Sequence, residues 1–160
     1  MSTEDKDAQS ILSRLASRTD NPAGMLAEVE TLLQRSPDSA VLWRLRGHLL
    51  QLSTGDSRTL ASARESYERA IALDPSSANA HLSLAEFIDG VEDDPAAAEA
   101  HFRNALLRGA GTDAKLGLAR VLAQLGRTTE ALQELSSPQL AANEDAAELR
   151  DEIHAGLYQE

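Results

Sequence analysis

Small residues recur at fixed intervals beside a few large apolar ones, and this spacing constrains the chain more than any other feature. In ASARESYERAIALDPSSANAHLSLAE, residues 61–86, Ala63, Tyr67 and Ala70 lie four and three positions apart and share one helical face. Pro75 cannot continue that helix, and Asp74 before it is pushed away from helical backbone angles. Beyond the SSAN turn, His81, Leu84, Ala85 and Ile88 mark the face of a second helix. Alanine at the crossing lets two antiparallel helices approach closely.

The pattern then repeats. Arg46-Gly47, Leu84-Ala85 and Leu118-Ala119 each set a small residue after a large one, and the last two pairs are 34 positions apart. Ala63, Ala98 and Ala131 are each followed four residues later by Tyr67, Phe102 and Leu135. Read this way, residues 1–160 form a single domain of helical hairpins over about 5–38, 39–75, 76–109 and 112–140, with a capping helix near 142–157. The first hairpin pairs helices near 5–18 and 23–35. The second carries the extra residues STGDSRTL in its loop, the third has EDDP between its helices, and the fourth turns at Gly126. A period near 34 is the mark of an array whose units cannot bury their apolar faces alone and must stack. A compact four-helix bundle also fits apolar spacing of this kind. The recurring alanine favours the array.

Composition supports an all-α chain. Apolar content is 42%, drawn mainly from alanine and leucine, aromatics are 3%, and alternating β-branched runs are scarce. The formal charge is −11 and no segment is basic in net, which argues against binding to a phosphate backbone or an anionic membrane. With no cysteine there are no disulfides and no thiolate chemistry. The N-terminal stretch MSTEDKDAQSILSRLASRTD lacks a long apolar run, so neither a signal peptide nor membrane insertion is expected, and a cytoplasmic location is.

These residues resemble the tetratricopeptide repeat family. Residues 40–75 supply Trp43, Gly47 and Leu50, then Ala63, Tyr67, Ala70 and Pro75, with Arg46 in the slot the family gives to leucine. Residues 78–111 supply His81, Leu84, Ala85 and Ile88, then Ala98, Phe102 and Ala105, without the closing proline. Residues 112–140 supply Leu118, Ala119, Leu122, Ala131 and Leu135. Residues 6–39 keep Leu12, Ala16, Leu32 and Pro37 and look like a worn copy. The resemblance implies an α-α solenoid, a right-handed superhelix of antiparallel hairpins. It also implies a non-catalytic module that holds a protein or peptide segment in a concave groove. The final helix reads as a solubilising cap, with Ala147, Ile153 and Leu157 facing the array and Glu144, Asp145, Glu148, Asp151 and Glu152 largely outward.

No residues suggest catalysis or a cofactor. His48, His81, His101 and His154 are dispersed without metal-ligand spacing, and His81 fills a core slot. VEDDPAAAE, 91–99, lacks the alternating ligands of a calcium loop and reads as a helix start, capped by Asp94 with Pro95 in the first turn. Ser10, Ser13 and Ser66 have no evident base. What remains is surface. The inner curve implied by the resemblance carries Val41, Arg44, His48 and Gln51, then Asn79, Leu82, Glu86 and Asp89, then Leu116, Arg120 and Ala123. Arg44, His48 and Arg120 suit carboxylates or carbonyls of a partner, and Leu82 and Leu116 suit apolar side chains. The family's carboxylate clamp would fall on Arg44, His48, Ser83, Asp113 and Gly117; only Arg44 keeps the needed charge. Pairing through solenoid edges or the C-terminal helix, as a subunit of a homo- or hetero-oligomer, is the alternative role.

Overall fold

The computed structural model describes residues 3–16, 21–53 and 57–158. Among them the chain is all-α, with no strand. The helices are α1 (Thr3–Ala16), α2 (Pro22–Arg35), α3 (Ala40–Ser53), α4 (Ser57–Leu73), α5 (Ala78–Phe87), α6 (Pro95–Leu107), α7 (Thr112–Gln124), α8 (Thr128–Leu135) and α9 (Glu144–His154). A π turn, Ile88–Glu92, follows α5, and a short 3₁₀ turn, Pro138–Leu140, precedes α9. The architecture is a helical repeat of the solenoid kind. It divides into two compact units, Met1–Ser83 and Leu84–Glu160, with the boundary inside α5.

In the first unit, Ala8, Ile11, Met25, Val29, Leu33, Leu42, Leu45 and Leu49 form one buried cluster. This shifts the register expected for the first hairpin: Leu12 and Leu32 pack only partly against the cluster, and the side chain of Ala16 lies outside the described set. Val29 and Leu33 stand 34 positions before Ala63 and Tyr67, so the worn copy keeps the second-helix face in different residue types. Ala63, Tyr67 and Ala70 are buried on α4. A Cβ on Gly47 would sit 2.7 Å from Cε1 of Tyr67, so α3 approaches α4 at a distance only glycine permits. The extra residues of the second hairpin behave differently from expectation. Ser53 ends α3 and Ser57–Leu60 open α4, so most of STGDSRTL lengthens helices; 54–56 lie outside the described residues.

Two junctions share one construction. Ser39 Oγ accepts the amide of Leu42 at 3.4 Å, and Ser77 Oγ accepts that of Ala80 at 3.2 Å, each serving a helix start. The indole of Trp43 donates to the carbonyl of Pro37 at 2.7 Å. The imidazole Nε2 of His81 meets the carbonyl of Pro75 at 3.3 Å. A carbonyl only accepts, so His81 carries its proton on Nε2 in this contact. The ring at the large-residue slot thus ties each helix to the proline that closed the one before. Where the proline is missing, the ring is missing too. Gly109 takes φ +90 and ends α6, with Ala110 N–H returning to Ala105 O at 2.9 Å, while Lys115 bonds Gln139 Oε1 at 2.9 Å.

In the second unit, Ala98, Phe102 and Ala105 of α6 and Leu118, Ala119 and Leu122 of α7 are buried, as are Ala131 and Leu135 of α8. Gly117 makes the closest approach: its Cβ would fall 2.2 Å from Cε1 of Phe102. Asp94 Oδ1 accepts the Ala97 amide at 3.0 Å and Pro95 opens α6, the cap read from the sequence. On α9 the buried face is Ala146, Leu149 and Ile153. Ala147 is exposed and Leu157 is 69% exposed, so the inward face expected for them holds only at Ile153.

Candidate protein-binding surface

Each expected groove residue is placed within its own unit. In the first, α3 carries Val41, Arg44 and His48 at i, i+3 and i+7, one face of the helix. Val41 is 37% exposed, Arg44 is half-buried and His48 is exposed. Although solvent reaches the His48 ring, the protein around it desolvates the imidazole enough to hold its pKa below the ordinary 6.5, and the Arg44 guanidinium pushes the same way. The positive charge on this face therefore belongs to Arg44, beside an imidazole held toward its neutral form, on a chain of net −11.

Gln51, one turn further, is half-buried and accepts the hydroxyl of the buried Tyr67 at 3.1 Å, which makes it a packing residue. Asn79 is exposed and Leu82 half-buried, both on α5. Arg46, in the leucine slot, is also explained. Its Nη1 donates to Ser66 Oγ at 2.8 Å, its Nε and Nη2 reach Glu30 at 3.3 and 3.2 Å, and its guanidinium lies 5.8 Å from the Trp43 ring. One side chain therefore links α2, α3 and α4. Ser66 in turn donates to Ser62 O at 2.7 Å, a structural use of the hydroxyl.

In the second unit, Glu86 is exposed, and Arg120 is committed elsewhere. Its Nε and Nη2 both donate to Asp89 Oδ2, at 3.0 and 2.7 Å. The Asp89 side chain is 4% exposed, whereas that of Arg120 is 46% exposed. Asp89 lies in the π turn, where Asp93 N–H returns to Ile88 O and Asp93 itself takes φ 53. Arg120 and Leu116 also border a cleft of about 140 Å³ whose other wall is Leu149 and Glu152 of α9 and Tyr158 beyond it. Tyr158 donates to Glu152 at 3.0 Å; burial and that carboxylate raise its pKa. The sequence reading made the last helix a cap, but nothing in the spacing says that it borders Leu116 and Arg120.

Among the described residues, no group of three or more His, Asp or Glu side chains is arranged to hold a metal, and no helix is long and apolar enough to cross a membrane. Several polar residues outside the core serve caps and ion pairs. Arg127, for instance, bonds Glu130 at 2.6 Å and Glu99 at 2.7 Å, and these contacts raise its pKa while that of Glu130 falls.

The tetratricopeptide repeat profile matches residues 55–88 and 92–148, just over half of the chain. The chain belongs to the tetratricopeptide repeat family, and as such is a non-catalytic protein-interaction module. No curated protein matches it. Among the 25 solved chains that match is PilW, described as a widely conserved type IV pilus biogenesis factor, at 22% identity and a TM-score of 0.79. The match covers 98% of this chain and 71% of PilW, a likeness of fold. The expectation of a cytoplasmic location, which rested on the polar N-terminus, does not stand: PilW, which shares this fold, is a type IV pilus biogenesis factor, and N-terminal polarity does not determine a compartment.

Proposed function

We propose that the chain is a scaffold that holds a segment of another protein against the inner helix faces, and that α3 supplies the charged part of that contact. One observation carries the reading: Val41, Arg44 and His48 align on one accessible face of α3, an apolar residue beside two nitrogen bases in an acidic protein. Arginine holds a carboxylate through two nitrogens, and such charge-assisted bonds exceed neutral ones. A carboxylate brought to this face favours the imidazolium form of His48, so binding tightens as pH falls through the imidazole range. Asn79 and Leu82 on α5 extend the proposed contact within the first unit, and Glu86 and Leu116 are proposed contacts of the second, taken by itself. Gln51 and Arg120 contribute less, since Tyr67 and Asp89 already occupy them.

The test is comparative capture from the source cell's extract, wild type against Arg44→Glu, with far-ultraviolet circular dichroism as the control for folding. Loss of the principal partner by Arg44→Glu supports the reading; recovery of the same partner in equal amount overturns it. A second reading, an assembly subunit that pairs through its edges or C-terminal helix, draws support from Leu157, 69% exposed past α9, and from the likeness to a pilus biogenesis factor. Leu157→Asp losing the partner while Arg44→Glu keeps it is the outcome that favours this second reading.

A further inference from the structure

The accessible stripe of α3 has a fourth member beyond Val41, Arg44 and His48. Leu52 falls within about 40° of Val41 and His48 around the helix axis, and about 80° from Arg44. Val41, His48 and Leu52 are the exposed residues of α3, while Leu42, Leu45, Leu49 and Leu50 are buried. Leu52 is 50% exposed, so the order along the stripe is apolar, guanidinium, imidazole, apolar. A single exposed leucine needs no explanation. Two apolar residues framing a charge are another matter, because apolar contacts supply burial in an interface and a charge sets its register.

Charge decides the occupant. The sequence of α3, AVLWRLRGHLLQLS, contains no Asp or Glu, whereas α1, α2 and α4 to α9 each contain at least one. Its other arginine, Arg46, is bound to Ser66 and Glu30, which leaves Arg44 as the cation of the stripe. The charge acting on the His48 ring is that of Arg44, with no carboxylate offsetting it among the described residues. A basic segment would therefore be repelled here. One carboxylate suits one guanidinium, but a run of them would meet the repulsion of a chain of net −11. Val41 and Leu52 stand about 16 Å apart along the axis, the reach of about five residues of extended chain. On the reading of α3 as the contact face, on which this rests, we propose that the segment held there carries one acidic side chain between two apolar ones. The carboxylate meets Arg44, and the apolar side chains cover Val41 and Leu52.

The experiment uses the full chain and fluorescein-labelled synthetic octapeptides of serine and glycine with blocked ends. The parent peptide has leucine at its second and seventh positions and glutamate at its fourth. Matched peptides carry glutamine for the glutamate, serine for both leucines, or glutamate throughout the interval between the leucines. Wild type is expected to bind the parent roughly three- to tenfold more tightly than the glutamine or the serine peptide, and the multiply acidic peptide no more tightly than the parent. Leu52→Ser, at an exposed position, should shrink the preference for leucine and keep that for glutamate; Arg44→Gln should do the reverse. No detectable binding of the parent, equal affinity for the parent and either matched peptide, tighter binding of the multiply acidic one, or preferences untouched by these variants overturns the proposal. So does self-association of the chain that Leu52→Ser abolishes, since the occupant is then a second copy. Capture from extract judges the α3 face separately: if Arg44→Glu loses the partner and the peptides do not discriminate, the face stands and this occupant falls.

Discussion

Replacing Gly117 with alanine adds one carbon where the second unit has no room for it. The new Cβ would lie 2.2, 2.5 and 2.9 Å from three carbons of the Phe102 ring, against a comfortable separation of about 3.5 to 4 Å. Phe102 is 0% exposed, with Ala98 and Ala105 buried on the same helix, so the ring cannot swing into solvent to relieve the contact. Overpacking of this kind costs about 1 to 3 kcal/mol, and a contact this short belongs near the top of that range. Alanine in a helix interior returns about 1 kcal/mol relative to glycine. The net expectation is a loss of about 2 kcal/mol, read from urea unfolding followed by far-ultraviolet circular dichroism. A double-mutant cycle isolates the cause. In a Phe102→Leu background the ring is gone, and Gly117→Ala should become neutral or stabilising, a coupling of about 2 kcal/mol or more. Gly24→Ala is the control: nothing lies within 4 Å of the added carbon, so stability should hold or rise by up to about 1 kcal/mol. An unchanged or raised midpoint for Gly117→Ala in the wild-type background refutes the packing described here.

Arg120→Ala should lower the urea midpoint by an amount corresponding to roughly 1 to 3 kcal/mol, because it strands the buried Asp89 carboxylate; Asp89→Asn with Arg120→Ala should recover part of that loss. Arg46→Ala should cost about 1 to 2 kcal/mol by the same assay, since α2 and α4 both lose a bond. His48 should titrate below 6.5 by nuclear magnetic resonance, and Arg44→Gln should raise its midpoint without fully restoring it, since desolvation is the larger cause. Because the folded pKa is depressed, the stability linked to His48 is present above pH 6.5 and is lost as pH falls through the folded value.

The spacing of Ala63, Tyr67 and Ala70 and of Ala98, Phe102 and Ala105 disclosed the helical faces because burial at i, i+4 and i+7 leaves a direct trace in residue type. The same logic misled where apolar residues sit side by side. Leu32 and Leu33 are both leucine, and only the tertiary cluster with α1 and α3 residues makes Leu33 the buried one; Ala146 and Ala147 on α9 pose the same ambiguity. Gly117 was legible as small but not as the point of closest approach, since spacing along one helix does not reveal which ring faces it. STGDSRTL reads as a loop by its polarity, yet Ser57–Leu60 are helical in α4. Among the surface residues, charge alone did not disclose that Arg120 is bound to Asp89, in a π turn that no sequence pattern announced.

The central claim, that this helical-repeat protein is a scaffold gripping a partner segment through α3, is tested most directly by mapping the bound surface in solution. Amide resonances of the isotopically labelled full chain would be followed while the captured partner's segment is titrated in, at a pH below and a pH above the His48 midpoint. The account predicts that shifts concentrate on Val41, Arg44 and His48, and that affinity is higher at the lower pH. Shifts confined to α9 and Leu157, or an affinity indifferent to both pH and Arg44→Glu, would contradict it.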